Sequence, residues 1–577
     1  MWMDSLSLSH FRNRLAHVEA LPQLVVLGLV CGLFTGLIIV AFRFAISWPL
    51  EQGLPGSDAE NFEGLSDLWR FSLPIVGSLI IAIILSLVSY ERARVGIPHV
   101  LERLGYHQGQ LPLANALVQF VVGAITIISG HSAGREGPAV HLGAAGGSLL
   151  GQWLRLPNNS IRMLVGCGTA AAISASFNTP MAGVIFAMEV VMMEYSVIGF
   201  IPVTIASVTA ALLMQLMLGD ETAFHVPTLE LLTLTEIPYV IFLGIILGLL
   251  SLLFNKTVLI AVKHIRIPLF ARLLLAGLLT GTIALIYPQI MGLGYDSVTD
   301  ILQGNYALQL LLGLTVAKLL VTAMAVGLGM PMGLIGPCLF IGAGAGASLG
   351  IIGAMLADIP VSDIGFYAML GMGAMMAAVL QAPLAALMAV LELTHNPNVI
   401  FPAMVAIVTA SLTCRHFFPD GSVFQAVLVA RGLDWRRTPM DQILERASVT
   451  SEMHKNYSLQ SRVISADEAH SALSHNHEWI LISHRGVLDK LLSAADLQLY
   501  LDHYQPEPDN DKIDLLAIPG LRKDLYAIHQ NATLKEALRE LDNQNIDILY
   551  VQDDRKALMG IIQRDDIVRF FTERHEL

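Results

Sequence analysis

Charged residues are scarce in this chain of 577 residues, since only 14% are Asp, Glu, Lys or Arg while 54% are hydrophobic. A soluble globular protein usually carries about 25% charged residues. Water-soluble domains cannot bury so large a surplus of apolar side chains, because part of every domain is surface. The composition therefore excludes a disordered chain and an ordinary cytosolic enzyme, and it indicates a membrane protein.

Basic residues and cysteines are also few. The net charge of −13 disfavours a nucleic-acid partner, which would require a basic stripe. The four cysteines lie in apolar stretches without metal-ligand spacing, so we expect small buried side chains rather than disulfides or a metal site. The chain shows no evident cleavable signal peptide. It also has no Ser/His/Asp set, HExxH motif or carboxylate cluster, so we expect neither an enzyme nor a bound cofactor.

Apolar runs fill the chain up to about residue 430. About 20 apolar residues suffice for a helix to cross a hydrocarbon core of about 30 Å. Long runs lie near 22–48, 71–90, 112–130, 197–218, 229–254, 268–292, 307–329 and 400–414, and shorter runs broken by Gly and Pro lie near 138–151, 161–175, 180–193 and 337–356. Broken helices are tolerated at membrane depth only inside protein or beside a water-filled path, which favours a transporter or channel over a simple anchor.

The charge distribution divides the chain. About half of all charged residues follow residue 432, so the last quarter is predicted to fold in water. We expect an N-terminal segment at 1–20, a membrane domain at 21–431 with halves at 21–220 and 228–431, a linker at 432–445 and a tail at 446–577. Basic clusters, including Arg12 and Arg14, predict that both termini are cytoplasmic in a plasma or inner membrane.

An internal repeat marks the centre of the membrane domain. The segment GREGPAVHLGAAGGSLLG at 134–151 matches GLIGPCLFIGAGAGASLG at 333–350 in eight of eighteen positions. Downstream, Pro180 precedes Glu189 at the same spacing as Pro383 precedes Glu392. Duplicated halves with interrupted helices are typical of secondary transporters, whose binding site lies near the midplane between the repeats.

Both repeat blocks place G-x-x-G-P before an apolar helical run. Gly allows the chain to turn sharply and Pro suits the first helical turn, so each block predicts a helix start. The first amides of such a helix have no intrahelical partner and lie at the positive end of its dipole. Two such starts that face each other inside a membrane would bind a dehydrated anion. A cation path would instead favour carbonyl or carboxylate rings.

Glu136 is an ionisable residue in this apolar setting. Intramembrane carboxylates are costly and are functional candidates by default. Its carboxylate could occupy the same amides as an anion and leave them when protonated, which predicts a pH-sensitive gate. The alternative is an ion pair between Glu136 and Arg135 that only holds the loop.

These motifs resemble those of a known family. GREGP at 134–138, Gly96-Ile97-Pro98 and the GLIGP segment at 333–337 are similar to the three anion-binding motifs of the CLC family of chloride channels and chloride/proton exchangers, over roughly residues 20–431. The resemblance implies an all-α polytopic membrane domain with an inverted repeat and broken helices, and a homodimer with one pore per subunit. It implies an anion path formed by Val95, Gly96, Ile97, Pro98, Arg135, Glu136, Gly137, Leu334, Ile335 and Phe424.

Three positions depart from the family pattern. Val95 replaces the serine of the first motif and Phe424 replaces the pore tyrosine, so two hydroxyl donors are missing. Val190 stands where many exchangers carry a proton-relaying glutamate, and its neighbour Glu189 is the remaining candidate for the relay. We therefore expect channel-like or weakly proton-coupled chloride flux. A coupled exchanger is the alternative, and a fluoride-selective relative is disfavoured by the intact GREGP.

The tail alternates β-rich runs and amphipathic helices in two units, at about 446–505 and 515–577. The tandem resembles a pair of α/β CBS domains, which often bind adenine nucleotides through an aspartate; Asp496 and Asp566 occupy the matching places. A purely structural role in dimerisation is the preferred interpretation. A sensor that reads nucleotides through the tail and conducts no ion is a further alternative.

Overall fold

The computed structural model describes residues 15, 20–57, 60–219, 224, 231–356, 362–433, 439–474, 477–484, 487–503, 512–520 and 522–575. Contacts divide the chain into two compact units. The membrane unit consists of Leu21–Arg155 and Ile161–Arg436. The C-terminal unit contains Leu156–Ser160 and Arg437–Leu577.

The membrane unit is helical throughout its described residues. Its helices are α1 (Leu21–Gly53), α2 (Asp67–Leu87), α3 (Gly96–Tyr106), α4 (Leu113–Ile128), α5 (Glu136–Trp153), α6 (Asn158–Phe177, which begins in the C-terminal unit), α7 (Pro180–Phe186, continued by a π-helical turn at Ala187–Met192), α8 (Val197–Leu218), α9 (Ile237–His264), α10 (Leu269–Ala284), α11 (Tyr295–Leu302), α12 (Leu308–Leu328), α13 (Ile335–Leu356), α14 (Ile364–Leu380), α15 (Pro383–Thr394), α16 (Ile400–Phe417) and α17 (Val423–Ala430).

Several of these helices expose large apolar side chains as well as burying them. Leu216 of α8 and Leu87 of α2 are more than 80% exposed, while Leu24 and Cys31 of α1 are buried. A helix that is apolar all round belongs in a large core or a membrane. Within the described residues, eight helices are long and apolar enough to cross a bilayer. All four cysteines are free and buried, as expected.

Three predicted interruptions are wrong. The sequence predicts short broken helices near 138–151, 161–175 and 337–356, yet α5, α6 and α13 span 18, 20 and 22 residues without a break. Their glycines do not interrupt them because each lets a neighbouring helix approach closely. A Cβ on Gly346 of α13, for example, would collide with the carbonyl oxygen of Tyr367 in α14.

The predicted repeat extends over the whole membrane unit. Within the described residues, the eight helices α1–α8 are followed by eight more, α9–α16, and in both sets the third and seventh helices are the shortest. The two copies contact each other through equivalent members, since α2 packs on α10 and α7 packs on α15. In this correspondence α5 matches α13, and the short α3 matches the short α11.

The C-terminal unit contains two similar β-α-β-β-α copies. The elements are α18 (Pro439–Leu444), α19 (Val449–Glu452), β1 (Tyr457–Ser461), β2 (Val463–Ser465), α20 (Ala466–Ser474), β3 (Trp479–His484), β4 (Val487–Ser493), α21 (Ala494–Leu501), β5 (Lys512–Asp514), β6 (Arg522–Asp524), β7 (Tyr526–His529), α22 (Leu534–Gln544), β8 (Ile548–Gln552), β9 (Leu558–Gln563) and α23 (Arg564–His575). In the first copy β1 pairs in parallel with β3 and β3 pairs antiparallel with β4, and in the second copy β7 pairs in parallel with β8 and β8 pairs antiparallel with β9.

The two copies share one apolar cluster. Leu481 and Leu491 of the first copy pack with Ile548 and Ile561 of the second. Strands alternate with helices in both copies, as the sequence predicts, and the region is consistent with a tandem CBS domain.

Candidate functional site

The two predicted helix starts meet directly. Gly134, in the turn before α5, forms an antiparallel bridge with Gly333, in the turn before α13. The Gly134 amide donates to the Gly333 carbonyl at 3.0 Å, and the Gly333 amide donates to the Gly134 carbonyl at 2.9 Å. A Cβ on Gly333 would lie 2.6 Å from the Gly134 oxygen, so no side chain fits there. Two main-chain hydrogen bonds therefore join the centres of the two repeats.

Both helices begin just beyond this bridge. The helix α5 begins at Glu136 with Pro138 in its first turn, and α13 begins at Ile335 with Pro337 at the equivalent place. All four residues are buried. The first amides of each helix lack intrahelical partners, so the two starts form a converging group of donors away from bulk water.

The Glu136 side chain lies between these two starts. It is fully buried, and its Oε1 accepts a hydrogen bond of 3.0 Å from the hydroxyl of Tyr295, the first residue of α11. Its Oε2 has no hydrogen-bond partner in the part of the chain that the structure describes. A Cβ on Gly333 would lie 2.7 Å from this oxygen, and one on Gly336 would lie 3.2 Å from Oε1. The carboxylate thus lies against the glycines of both motifs.

The Arg135 guanidinium contacts a backbone carbonyl and two aromatic rings. It donates to the carbonyl of Ser176 and lies over the rings of Phe177 and Tyr295, 5.5 and 5.4 Å from their centres. A cavity of about 290 Å³ adjoins this group and is lined by residues that include Arg43, Glu60, Arg135 and Tyr295.

The first motif forms the start of α3. Gly96 has a φ of +81°, a conformation that favours glycine, and Ile97 is buried while Val95 and Pro98 are partly exposed. The Gly96 amide donates to Oε1 of Gln119 in α4 at 2.7 Å. This amide is therefore engaged within the protein. Sequence reasoning missed Gln119 because the contact joins two helices that no local pattern links.

The remaining predicted path residues lie on neighbouring elements. Gly137 and Leu334 adjoin the glycine bridge, and Phe424 is buried in the first turn of α17, which is capped by Ser422. The helix α3 packs on both α5 and α17, and α5 packs on α13. The structure thus places the helices that carry the three motifs and Phe424 in one neighbourhood.

Glu189 and Glu392 occupy equivalent positions in the two repeats. The Glu189 carboxylate accepts hydrogen bonds from the amides of Leu384 and Ala385 at the start of α15, at 3.3 and 2.8 Å. The Glu392 carboxylate accepts from the amides of Met181 and Ala182 at the start of α7, at 2.9 and 2.7 Å. Each repeat therefore caps a helix of the other. Val190 beside Glu189 is buried.

The two tail aspartates lie in the first turns of α21 and α23. Asp566 accepts from the Gln563 amide at 2.9 Å and pairs with Nε2 of His454 at 3.3 Å. Burial raises the pKa of Asp566, but the hydrogen bonds from His454 and Gln563 outweigh it and hold that pKa below its ordinary value. Asp496 faces Gly520, whose Cβ would lie 2.7 Å from its carboxylate. Within the described residues, no group of three or more His, Cys, Asp or Glu could hold a metal ion.

Comparison with known proteins agrees with this arrangement. A family model described as voltage gated chloride channel matches residues 77–415. A putative chloride channel protein, ClcB-like, from Ralstonia nicotianae is 31% identical over 433 residues, which cover 72% of this chain and 99% of that protein. The chain belongs to the CLC family. It is accordingly a multi-pass integral membrane protein.

Other CLC proteins are also similar. The H(+)/Cl(−) exchange transporter ClcA of Yersinia pestis is 28% identical over 426 residues, covering 71% of this chain and 88% of that protein. The crystal structure of a eukaryotic CLC transporter matches with a TM-score of 0.60 at 18% identity, over 94% of this chain and 97% of that chain. This likeness in fold includes the C-terminal unit.

Proposed function

We propose that this protein conducts chloride across a membrane along the path that passes the bridge between Gly134 and Gly333. The observation that supports it is the convergence of two buried helix starts on the Glu136 carboxylate. Main-chain amides attract an anion through their partial charges. A full positive charge at the same place would hold the ion too tightly for fast passage. The relative from Ralstonia nicotianae, named a putative chloride channel protein, supports the same substrate.

Glu136 acts as the gate in this proposal. Its carboxylate is itself an anion and lies beside the donors that a chloride ion would use, so the two compete. Protonation removes the charge of the carboxylate and with it the attraction to the helix starts. The side chain then leaves, and an ion takes its place. Chloride flux should accordingly rise as the pH on the accessible side falls.

The flux is proposed to be channel-like or weakly coupled to protons. Val190 cannot carry a proton, and the Glu189 carboxylate is engaged by two amides of α15. Val95 and Phe424 supply no hydroxyl, and the Gly96 amide is bound to Gln119, so three central donors are absent or engaged. Weak chloride binding favours poor coupling of chloride to protons, because coupled exchange requires that chloride and a proton displace each other from the protein. The alternative is a proton-coupled exchanger, as ClcA is named.

One vesicle experiment tests both parts. Purified protein in chloride-loaded liposomes is followed with a chloride electrode and a pH electrode together. We expect chloride efflux with little or no proton uptake. A Glu136→Gln variant should conduct at a rate that no longer depends on pH, because glutamine carries no proton to lose. A fixed chloride-to-proton ratio in the wild type would establish the exchanger instead, and unchanged pH dependence in the variant would remove Glu136 as the gate.

The wider assembly follows the family pattern in this proposal. We infer a homodimer with one chloride path per subunit, both termini in the cytoplasm, and a tail that regulates the membrane unit. The eight membrane-length helices support the membrane location. Cross-linking in native membranes and protease protection of each terminus would test the dimer and the orientation.

A further inference from the structure

Tyr295 lies at a place that the sequence motifs do not mark. It begins α11, the helix that corresponds in the second repeat to α3, whose start carries the first anion motif. The two starts share a glycine at positive φ just before the first side chain, Gly96 with φ +81° and Gly294 with φ +75°. The start of α3 carries apolar side chains, whereas the start of α11 presents a phenol. The hydroxyl of this phenol contacts the Glu136 carboxylate.

We infer that the Tyr295 hydroxyl is a positioning device for the gate: it holds the ionised Glu136 side chain in the closed position at the two helix starts. The inference rests on the proposed role of Glu136. The hydroxyl donates to Oε1 at 3.0 Å, and within the described residues the other carboxylate oxygen, Oε2, has no hydrogen-bond partner. A hydrogen bond from a neutral donor to a buried carboxylate favours the ionised form over the protonated form.

The ring of Tyr295 is held rigidly, so its hydroxyl cannot follow the carboxylate outward. Only 8% of the residue is exposed. The Arg135 guanidinium covers one region of the ring, and Phe224 packs against it edge-on at 5.6 Å between ring centres. The backbone amide of Tyr295 donates to Oε2 of Glu60 at 3.0 Å.

The loop before Tyr295 is fastened as well. The fully buried Lys318 of α12 donates through Nζ to the carbonyl of Ile290 at 2.9 Å and to that of Gly292 at 3.4 Å. The Gly292 carbonyl also accepts from the amide of Ala133, just before the glycine bridge. These hydrogen bonds hold the Tyr295 hydroxyl and the two helix starts in fixed positions relative to one another. In this inference the Glu136 side chain is the part that moves.

Within the described residues, the ionisable groups near this pair come from several elements. They are Arg135 next to Glu136, Glu60 from the loop before α2, Asp296 next to Tyr295, Lys318 of α12 and Cys338 of α13. Removal of the Tyr295 hydroxyl changes none of these groups, so a change in pH dependence would report on the lost hydrogen bond.

Tyr295→Phe tests the inference because it keeps the ring and removes only the hydroxyl. In liposome flux assays at a series of pH values, half-activation should move to higher pH by about one unit, and flux at neutral pH should rise. Tyr367→Phe is the matched control. Tyr367 also donates to a carboxylate of the membrane unit, that of Glu236, and Glu236 lies outside the helices that carry the anion motifs. Its pH profile should match the wild type.

A double variant shows whether Tyr295 acts through Glu136. Flux through Glu136→Gln should be pH-independent, and adding Tyr295→Phe should leave that flux unchanged. If Tyr295→Phe behaves as the wild type while Glu136→Gln has lost its pH dependence, the positioning role fails and the gate remains. If Tyr295→Phe alters the flux of Glu136→Gln, the tyrosine acts on the path itself and the inference is overturned.

Folding of the variants is checked by size-exclusion elution before reconstitution. Should Tyr295→Phe not elute as the wild type does, Tyr295→Met serves the same purpose, since it fills the pocket with an apolar side chain and lacks the hydroxyl. An unchanged pH profile in either folded variant overturns the inference. If Glu136→Gln retains pH dependence, the proposed gate itself fails, an outcome that is distinct from failure of Tyr295.

Discussion

At the scale of single residues, Gly333 shows how tightly the centre is built. Its absent side chain lets the Gly134 carbonyl and the Gly137 amide approach to 2.6 and 2.5 Å from where a Cβ would stand. The contacting atoms are main chain, so they cannot rotate aside as a flexible side chain would. Glycine is therefore required at this position for packing, independent of its φ.

We predict that Gly333→Ala destabilises the protein by about 1–3 kcal/mol, the usual range for an extra group in a packed core. It should also abolish chloride flux, because the bridge to Gly134 must open to admit the methyl group. Thermal melting in detergent and liposome flux measure the two effects. Gly105→Ala in α3 is the matched control, since a Cβ there meets no atom within 4 Å. Wild-type melting of Gly333→Ala would contradict the prediction.

The sequence identifies those site residues whose roles depend on neighbouring positions in the chain. The motif GREGP places Glu136 and Pro138 by itself, because a turn, a cap and a first helical residue are set within five positions. It could not identify Tyr295, Gln119 or Glu60, whose partners are 159, 23 and more than 230 positions away. Such pairs arise only when the repeats fold together. The one available signal is that the start of α11 corresponds to the start of α3.

At the scale of elements, the crossed caps between α7 and α15 account for two carboxylates of the membrane unit. Glu189 and Glu392 each accept two amide hydrogen bonds at a helix start of the other repeat. A carboxylate at a helix N-terminus satisfies amides that a membrane would leave unpaired. The pair also offers a way to separate a capping role from proton transfer, because the two residues are equivalent in the repeat.

We predict that Glu189→Ala and Glu392→Ala each lower stability by about 1–2 kcal/mol, as for the loss of a helix cap. Both should leave the ratio of proton to chloride movement as in the wild type. Melting in detergent and the paired chloride and pH recording give the two readouts. If Glu189→Ala alone changed proton movement while Glu392→Ala did not, Glu189 would be a relay in addition to a cap.

The apolar runs of the sequence predict most of the long membrane helices but not α14 or α15, and they predict breaks that α6 and α13 do not have. Glycines in the runs of α6 and α13 favour breaks, yet both helices are continuous, and their glycines lie against closely packed neighbours. The sequence does not show whether a glycine ends a helix or allows a neighbouring helix to pack closely against it. The packing between helices decides which of these roles the glycine has, and a single sequence does not specify that packing.

At the scale of the whole molecule, the two aspartates predicted as nucleotide ligands in the C-terminal unit already have contacts within that unit. Asp566 is held by its own helix start and by His454, and Asp496 lies against Gly520. A nucleotide ribose would have to displace the His454 contact to reach Asp566. This arrangement favours the structural role of the tail over nucleotide binding.

We predict that calorimetry with ATP or AMP on the full-length protein in detergent shows no saturable heat. The reason is that the carboxylate predicted to bind the ribose already has two partners. Asp566→Asn provides the comparison. A saturable heat in the wild type that Asp566→Asn abolishes would instead assign an adenine nucleotide site to the tail.

The glycine bridge has a consequence for how this protein can change over time. The bonds of the bridge join peptide groups, so a substitution there either keeps these bonds or, like Gly333→Ala, breaks them, and it does not adjust them finely. Diversity in which ions pass, and how fast, has to come from the periphery of that joint. Positions such as 95, 295 and 424 are therefore where we expect the sequence to be free to vary and the behaviour to vary with it.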